Sequence, residues 1–432
     1  MSDSELAGLY RSHVATLSKA YRSAVERAGF DTLLLCSGRA RIQSHFDDQY
    51  WPHKPTPMFA HWLPLCESDA FLLLGKDRTL HRTPQTSYWE SPALAPGDHF
   101  WGSFAVRDDS GASITGQDLG KLAIIAESPA DVADLKLDGV LNPPELVKLL
   151  GHARALKTDY ERHCIGEANR IASRGHDRLA ELFAGGPISE HELNLEYLRA
   201  TAQDSWETPY GNIVALGAHA AVLHHVHYDK QARAAGSLLV DAGATYMGYA
   251  SDITRTHNNG KSATFKALVA GVQTLQDKMC EELAADMRYE VLHDRAHDLL
   301  AALLAELDIV RMDPEEMVES KTTRAFFPHG LGHSLGIQVH DVGCKDDPPT
   351  KRNPHLRTTA VTQVGHVFTI EPGCYFIPGL LEPLKASTAG SSVNWPLVEE
   401  LKELGGVRIE DNVAISESGT VNLTRDNWAN RE

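Results

Sequence analysis

Cysteine is scarce in this sequence. The 432 residues include six cysteines, which are scattered along the chain and form no Cys-x-x-Cys pair. Closely spaced cysteines are the usual sign of a disulfide framework or of a structural zinc site. The sequence therefore argues against a thiolate metal centre and predicts a reducing compartment, the cytoplasm.

Long hydrophobic runs are also absent. No segment approaches the ~18 consecutive apolar residues that a membrane-spanning helix needs. Residues 1–5 lack the basic region and following apolar core of a signal peptide. We therefore expect no membrane partner.

Positive charge is in deficit. The chain has 41 Lys and Arg against 58 Asp and Glu, a formal net charge of −17. Phosphate binding needs clustered Lys and Arg, so we expect no nucleic-acid partner. Most of the acidic excess is expected to be solvated surface, and only a handful of carboxylates could serve as metal ligands.

The bulk composition is that of an ordinary globular protein, with 42% hydrophobic and 23% charged residues. The length exceeds that of one typical core and predicts two domains. Up to residue 155 the pattern alternates helix and strand, which predicts an α/β domain over 1–155 and a second domain over 156–432. The predicted elements are helices over 5–29, 144–156, 262–283 and 288–306, a long helix from Tyr160, a helix capped by Ser189 and Glu192, and strands over 32–36, 70–74 and 122–127.

The segment 238–255 is the most informative part of the chain. An apolar run ends at Asp241, and after a glycine-flanked reversal a second strand passes through Asp252. A turn at Tyr246–Met247 would set the two aspartates directly opposite each other. Buried carboxylates in that position repel unless a cation is bound, so the hairpin predicts a metal. An ordinary surface hairpin with two solvated aspartates is the alternative, because the turn position is assumed.

Three more candidate ligands follow downstream. His333 lies in a glycine-rich segment, Glu371 closes an apolar β-branched strand before Pro-Gly, and Glu410 follows a short alternating strand. The alternative for His333 is a hydrogen-bonded loop histidine, and the alternative for Glu410 is a surface ion pair with Arg408. Four carboxylates and one imidazole without thiolate favour manganese, cobalt or catalytic zinc, and five ligands suit a two-metal site.

These residues lie in segments that resemble the pita-bread metallopeptidases. Over essentially its full length, the chain resembles the bacterial Xaa-Pro dipeptidases, or prolidases, that are also described as organophosphorus acid anhydrolases. The resemblance rests on the order and spacing of the segments 208–215, 241–244, 251–255, 329–333, 339–343, 369–373 and 406–411. It implies an α+β fold, in which an N-terminal α/β domain with dimer contacts and a pocket lid precedes a C-terminal pita-bread (creatinase/aminopeptidase-like) domain.

The resemblance also implies a catalytic apparatus. Two divalent ions per subunit, with Mn²⁺ expected and Co²⁺ or Zn²⁺ as alternatives, would be held by Asp241, Asp252, His333, Glu371 and Glu410. Asp252 and Glu410 would bridge the ions, and a metal-activated hydroxide would attack the Xaa-Pro bond. His224 and His340 would stabilise the tetrahedral intermediate, and Glu371 would shuttle the proton.

Further residues are implied to bind the substrate: His329, Arg357, Arg408, Tyr210, Tyr289 and, from a neighbouring subunit, Asp47 or Asp48. A solvated loop arginine is the alternative for Arg357, and core packing is the alternative for the two tyrosines. One departure is visible, because the family commonly has Tyr where this chain has His225.

The implied function is that of a metal-dependent dipeptidase, a homodimer that hydrolyses Xaa-Pro dipeptides, with organophosphate hydrolysis as a side activity. The near alternative is an Xaa-Pro aminopeptidase that acts on longer peptides. A non-catalytic pita-bread binding protein is disfavoured, because all five ligand positions carry competent residue types.

Overall fold

The computed structural model describes residues 2–83, 97, 100–343, 345 and 347–429. Cys344, one of the six cysteines, lies outside them. The chain divides into two units, Met1–Glu161 and Arg162–Glu432. The boundary that we predict near residue 155 coincides with the end of a helix, and the structural division falls a few residues later.

The N-terminal unit begins with helix α1 (Asp3–Arg27), whose first turn is fixed by its sequence. The Ser2 side chain accepts a hydrogen bond from the backbone N–H of Glu5, and the Glu5 carboxylate accepts one from the backbone N–H of Ser2. This capping box satisfies donors that a helix start leaves open. One face of α1 is buried, including Tyr10, Val14 and Leu17, as the predicted amphipathic pattern requires.

A six-stranded sheet forms the core of the N-terminal unit, in the order β4-β3-β2-β1-β5-β6. Its strands are β1 (Thr32–Cys36), β2 (Phe71–Leu74), β3 (Arg78–His81), β4 (Ala105–Arg107), β5 (Leu122–Ile125) and β6 (Gly139–Leu141), and the helices that follow in this unit are α2 (Pro57–Ala60) and α3 (Pro144–Ala155). The predicted strands at β1, β2 and β5 are confirmed. β3, β4 and β6 escaped prediction because they are short and largely outside the core.

The C-terminal unit begins with long helices and continues in short antiparallel strands. Its helices are α4 (Asp159–Gly185), α5 (Glu190–Thr201), α6 (Ala263–Glu282), α7 (Tyr289–Glu306), α8 (Pro314–Glu319), α9 (Pro378–Lys385), α10 (Trp395–Lys402) and α11 (Leu423–Ala429). The predicted capping box at the start of α5 is confirmed, since Ser189 Oγ accepts from Glu192 N at 3.1 Å.

Four small sheets carry the strands of this unit, in the orders β11-β8-β7, β10-β9, β12-β15-β16 and β13-β14. The strands are β7 (Ile213–Leu216), β8 (Ser237–Asp241), β9 (Thr245–Tyr246), β10 (Tyr249–Ala250), β11 (Thr254–Asn258), β12 (Val367–Ile370), β13 (Gly373–Tyr375), β14 (Gly406–Arg408), β15 (Asp411–Ser416) and β16 (Gly419–Asn422). β8 is buried along its whole length, and Leu238 and Val240 pack against helix residues such as Leu193.

The register of the hairpin differs from our prediction. Met247 and Gly248 both have positive φ, 49° and 83°, and form the turn, so Tyr246 pairs with Tyr249. Asp241 consequently pairs with Thr254, and the prediction that it lies directly opposite Asp252 is wrong by two residues. A shift of two residues preserves the face of a strand, so the aspartates still point to the same side.

In the part of the chain that the structure describes, no helix combines the length and the hydrophobicity needed to cross a bilayer.

Candidate metal centre

A cavity of about 610 Å³ opens in the C-terminal unit among the strand ends and the glycine-rich loop. Apart from Tyr289, every predicted site residue of this unit lines it: Tyr210, His224, Asp241, Asp252, His329, His333, His340, Arg357, Glu371, Arg408 and Glu410. These residues span the sequence from β7 to β15, so the fold brings distant segments to one surface.

The five predicted metal ligands converge on one wall of this cavity. His333 Nε2 lies 3.4 Å from Asp252 Oδ2 and 3.6 Å from Glu371 Oε1. Ligand atoms of Asp252, His333 and Glu410 all lie within 4.8 Å of one another. The Tyr210 hydroxyl joins Asp241 to this group, since it lies 2.8 Å from Asp241 Oδ1 and 2.5 Å from Asp252 Oδ1.

Strand ends position the carboxylates. Asp241 closes β8, Glu371 follows β12, and Glu410 lies between β14 and β15. The backbone N–H of Glu410 donates to Thr254 O at 3.0 Å, which holds it beside the hairpin of the two aspartates. Side chains at the end of a strand leave the sheet hydrogen bonds intact and can reach into a cleft, which suits a ligand cluster.

The glycine-rich loop places His333 by close backbone contact with β12. Thr369 N donates to His333 O at 2.9 Å, and Glu371 N donates to Leu331 O at 2.8 Å. A Cβ at Gly332 would lie 1.9 Å from the carbonyl oxygen of Thr369, so this approach requires glycine.

The electrostatics of the cluster call for a cation. Burial raises the pKa of Glu410 well above its usual value, and the neighbouring carboxylates of Asp252 and Glu371 add to the effect. Burial likewise raises the pKa of Glu371 to about 7 and raises that of Asp241, although Arg408 opposes the second shift. Buried carboxylates of this kind keep protons unless a positive charge takes their place.

The donor chemistry fits divalent metal ions. Aspartate and glutamate oxygens with one imidazole nitrogen are hard to borderline ligands, and the cluster contains no thiolate. At Asp252 burial works to raise the pKa, but the hydrogen bond and charge of His333 outweigh it and the pKa is lowered. Asp252 therefore stays ionised while neighbouring carboxylates hold protons. A bound cation would supply the positive charge that the whole cluster needs in order to ionise.

Sequence reasoning missed several residues that support the ligands. Thr254 Oγ1 donates to Glu410 Oε2 at 2.6 Å, and Asp252 N donates to Asn412 Oδ1 at 3.0 Å. Thr369 Oγ1 accepts from His333 N at 3.0 Å. Thr254, Thr369 and Asn412 each stand two positions from a ligand carboxylate in the sequence. Since strand residues two apart share a face, this spacing is a signal that could have identified them.

Arg408 is held by the cluster itself. It is 4% exposed, its Nη2 donates to Asp241 Oδ2, and its Nη1 donates to Tyr375 OH at 2.9 Å. Glu410 is 2% exposed, so the alternative of an Arg408–Glu410 surface pair is excluded. The Tyr375 hydroxyl also lies 2.8 Å from His329 Nε2, which links the predicted substrate histidine to the same network.

His340, His224 and Arg357 line the more open part of the cavity. The His340 ring stands at 87° to that of His333, with 4.4 Å between centroids, and burial together with the charge of His333 lowers the pKa of His340 to about 4. His224 and Arg357 are exposed. Lys345, which we did not predict, adds a third cationic side chain to the lining, beside Arg357 and Arg408.

Two predicted substrate residues lie elsewhere. Tyr289 is fully buried, donates to Thr369 O at 3.0 Å and packs on the ring of Phe368, so it belongs to the core and not to the pocket wall. This corrects the pocket-wall prediction in favour of its alternative. Asp48 lies in an exposed segment of the N-terminal unit beside Asp47, and its role stays a prediction.

Comparison with sequence families gives two matches. Residues 163–417 match the profile of metallopeptidase family M24, and residues 8–152 match the profile of the Xaa-Pro dipeptidase N-terminal domain.

Relatives match over nearly the whole chain. An Xaa-Pro dipeptidase of Marinobacter nauticus is 40% identical, with 99% of this chain and 100% of the relative covered. One of Pseudoalteromonas translucida is 38% identical, with 98% and 99% covered. An Xaa-Pro dipeptidase of Escherichia coli is 37% identical, with 98% of each chain covered.

Solved structures share the fold. Aminopeptidase P of Escherichia coli in complex with substrate superposes with a TM-score of 0.74 at 22% identity, with 96% of this chain and 97% of that chain covered. Proline aminopeptidase P II from Yersinia pestis gives 0.71 at 22%, with 95% and 98% covered. At this identity the likeness concerns the fold alone. The predicted α+β fold with a C-terminal pita-bread domain is confirmed.

Proposed function

Because the chain belongs to metallopeptidase family M24, we propose that it is a metallo-dipeptidase that hydrolyses Xaa-Pro dipeptides. Relatives named for this activity match over the whole chain, including the N-terminal domain. The structural neighbours are aminopeptidases, but at 22% identity they support only the fold and do not favour the aminopeptidase alternative.

One observation carries the proposal: five ligand side chains from distant segments converge in a single cavity of about 610 Å³. Small-molecule sites typically measure roughly 300–1,000 Å³, so a dipeptide fits. A protein that only binds would not need four carboxylates, three of them buried, and a histidine around one cavity. This supports a hydrolase over the non-catalytic alternative.

The ligands would hold two divalent ions, with Mn²⁺ proposed and Co²⁺ or Zn²⁺ as alternatives. Asp241, Asp252, His333, Glu371 and Glu410 are the residues that would hold them. When bound, the ions supply an activated water and polarise the scissile carbonyl.

The remaining steps fall to side chains that line the cavity. His224 and His340 would donate hydrogen bonds to the oxyanion that develops on the carbonyl. Glu371 would carry a proton to the proline nitrogen, which must be protonated before it leaves. The organophosphate side reaction stays a prediction.

Binding of both substrate ends would restrict the enzyme to dipeptides. Arg357 is proposed to meet the proline carboxylate, since a guanidinium binds a carboxylate with two parallel hydrogen bonds. Asp48 of a second subunit is proposed to hold the free amine, which makes a homodimer part of the proposal. The scattered cysteines support the cytoplasmic location that we include.

Metal analysis combined with a peptide panel tests the proposal. We expect hydrolysis of Xaa-Pro dipeptides that is lost after chelation and returns with Mn²⁺, whereas Xaa-Ala dipeptides serve as controls and stay intact. Efficient cleavage of Xaa-Pro-Yaa with poor turnover of Xaa-Pro would establish the aminopeptidase alternative. Peptide binding without turnover by the metal-loaded protein would establish the binding protein.

A further inference from the structure

A buried carboxylate that is not one of the predicted metal ligands accepts hydrogen bonds from four N–H donors. Glu190, the first residue of α5, is fully buried. Its Oε1 accepts from Leu216 N at 2.9 Å and from His219 Nδ1 at 2.7 Å. Its Oε2 accepts from Asp229 N and from His225 Nε2, both at 2.9 Å. Two oxygens with two donors each leave the carboxylate fully satisfied.

The hydrogen bonds fix the state of the groups involved. Burial works to raise the pKa of Glu190, but the four donors outweigh it and bring the pKa to about 2. An ionised carboxylate can only accept, so His225 carries its proton on Nε2 and His219 carries one on Nδ1.

The same three side chains have the residue types of a metal site, but a cation does not fit. Each oxygen of Glu190 already accepts two N–H groups. The guanidinium of Arg233 also lies close, with Nη2 3.1 Å from His219 Nδ1. The cluster is therefore a hydrogen-bonded anchor.

This anchor closes a loop. Leu216 and Asp229 stand at the two ends of the segment 216–229, and His225 reaches the same carboxylate from its middle. Among the described residues, the bond from His225 to Glu190 is the one hydrogen bond that joins 222–227 to the protein outside this loop. Val222 and Val226 are 52% and 45% exposed, so burial adds little to hold the loop tip.

The residues of the loop tip face two different surroundings. Leu223, His224 and Val226 line the cavity of the candidate metal centre. His225 instead faces Glu190. Leu223 and His224 form a turn that runs directly into His225, so fixing His225 against Glu190 restricts the positions that the His224 side chain can take.

We propose that His225 and Glu190 are positioning residues for His224, and that they hold its imidazole in the cavity for the hydrolytic reaction. The inference rests on the proposed function, in which His224 stabilises the oxyanion. A charge-assisted hydrogen bond to a buried carboxylate is strong enough to order an exposed loop tip. A phenol at position 225 would keep an O–H donor for Glu190.

A double-mutant cycle on the Mn²⁺-loaded full-length protein tests this inference. H225F removes the donor, and we expect kcat for an Xaa-Pro dipeptide to fall about 10- to 100-fold, as a small misplacement of a catalytic group does. In an H224A background the same change should have less than a twofold effect, because His225 acts through His224. H225Y should restore most of the activity.

H227F is the matched control, since His227 belongs to the same loop tip but, among the described residues, makes no hydrogen bond to Glu190. It should keep kcat within twofold of the wild type. Two results would overturn the inference. One is an H225F enzyme as active as the wild type, and the other is an H225F loss of kcat that is equally large in the H224A background. If H225F does not fold, H225N replaces it, because the shorter amide does not reach Glu190.

An NMR measurement separates this inference from the proposed function. The proton on His225 Nε2 should give a downfield imidazole signal that H225F loses and H227F retains. If the wild type lacks this signal, the hydrogen bond from His225 to Glu190 is disproved, whichever substrate the enzyme hydrolyses. A signal in a metal-loaded protein that cleaves no Xaa-Pro dipeptide means that the proposed function fails, and the catalytic part of the inference fails with it.

Discussion

At the scale of the residue, the two predicted substrate arginines have different environments. Arg408 is buried, and its guanidinium already bonds Asp241, Thr254 and Tyr375. Arg357 is exposed, and in the described part of the chain it has no carboxylate within ion-pair distance. An unpaired guanidinium at the cavity is available to a ligand, whereas Arg408 shapes the cluster.

Arg357→Gln tests this difference. For an Xaa-Pro dipeptide, kcat/KM should fall about 10- to 100-fold, because a hydrogen bond to a charged group contributes roughly 1.5–3 kcal/mol. The corresponding Xaa-prolinamide has no carboxylate, and its kcat/KM should change little. Arg352→Gln is the control, since Arg352 pairs with Asp294 on the surface. Equal losses for both substrates would refute the assignment.

At the scale of the element, the strands determine which side chains lie next to a predicted metal ligand. Thr254 joins two members of the network, because its hydroxyl donates to Glu410 and accepts from Arg408 Nε at 3.1 Å. Partners that orient a ligand typically change metal affinity about 10- to 100-fold. The strands that carry the predicted ligands therefore also carry the side chains that hold those ligands in place.

We expect Thr254→Val to raise the Mn²⁺ concentration for half-maximal activity at least about tenfold, with kcat at saturating metal less affected. Metal titration of activity, together with direct metal binding by calorimetry, measures this. Thr274→Val on α6 is the control, because its hydroxyl bonds only the helix carbonyl of Ala270. A Thr254 variant that binds Mn²⁺ as tightly as the wild type would contradict the argument.

Long periodic elements and strand-end carboxylates could be predicted from the sequence. Helices α1, α3, α6 and α7 and strand β1 lie within a few residues of their predicted positions. The hairpin register could not, because its turn needs positive φ at Met247, a residue that rarely adopts it. Tyr289 could not be assigned either, since an aromatic residue beside a site is packed or exposed according to tertiary contacts alone.

At the scale of the whole molecule, buried neutral histidines make the fold sensitive to acid. Burial lowers the pKa of His13 to about 4, of His176 to about 3 and of His293 to about 4. A histidine in the unfolded chain binds a proton near pH 6.5. Each of these groups therefore lowers the free energy of unfolding as the pH falls from 6.5 toward the pKa of that group in the folded protein. Glu161, whose pKa is also lowered, acts in the same direction at lower pH.

His13→Gln should therefore weaken the acid dependence. As the pH falls from 6.5 to 5, one buried histidine lowers the free energy of unfolding by about 2 kcal/mol, and the variant lacks this effect. Thermal unfolding of the full chain at several pH values, compared with His45→Gln at an exposed site of the same unit, measures the difference. Parallel pH profiles for His13→Gln and the wild type would count against this account.

The ligands of the candidate metal centre extend from Asp241 to Glu410, and the last of them lies close to the C-terminal end of the sequence. During synthesis the ribosome delivers the hairpin aspartates long before Glu371 and Glu410 emerge. A chain that stops before Glu371 therefore carries two of the four predicted carboxylates. The candidate metal centre is complete only once Glu410 has been made.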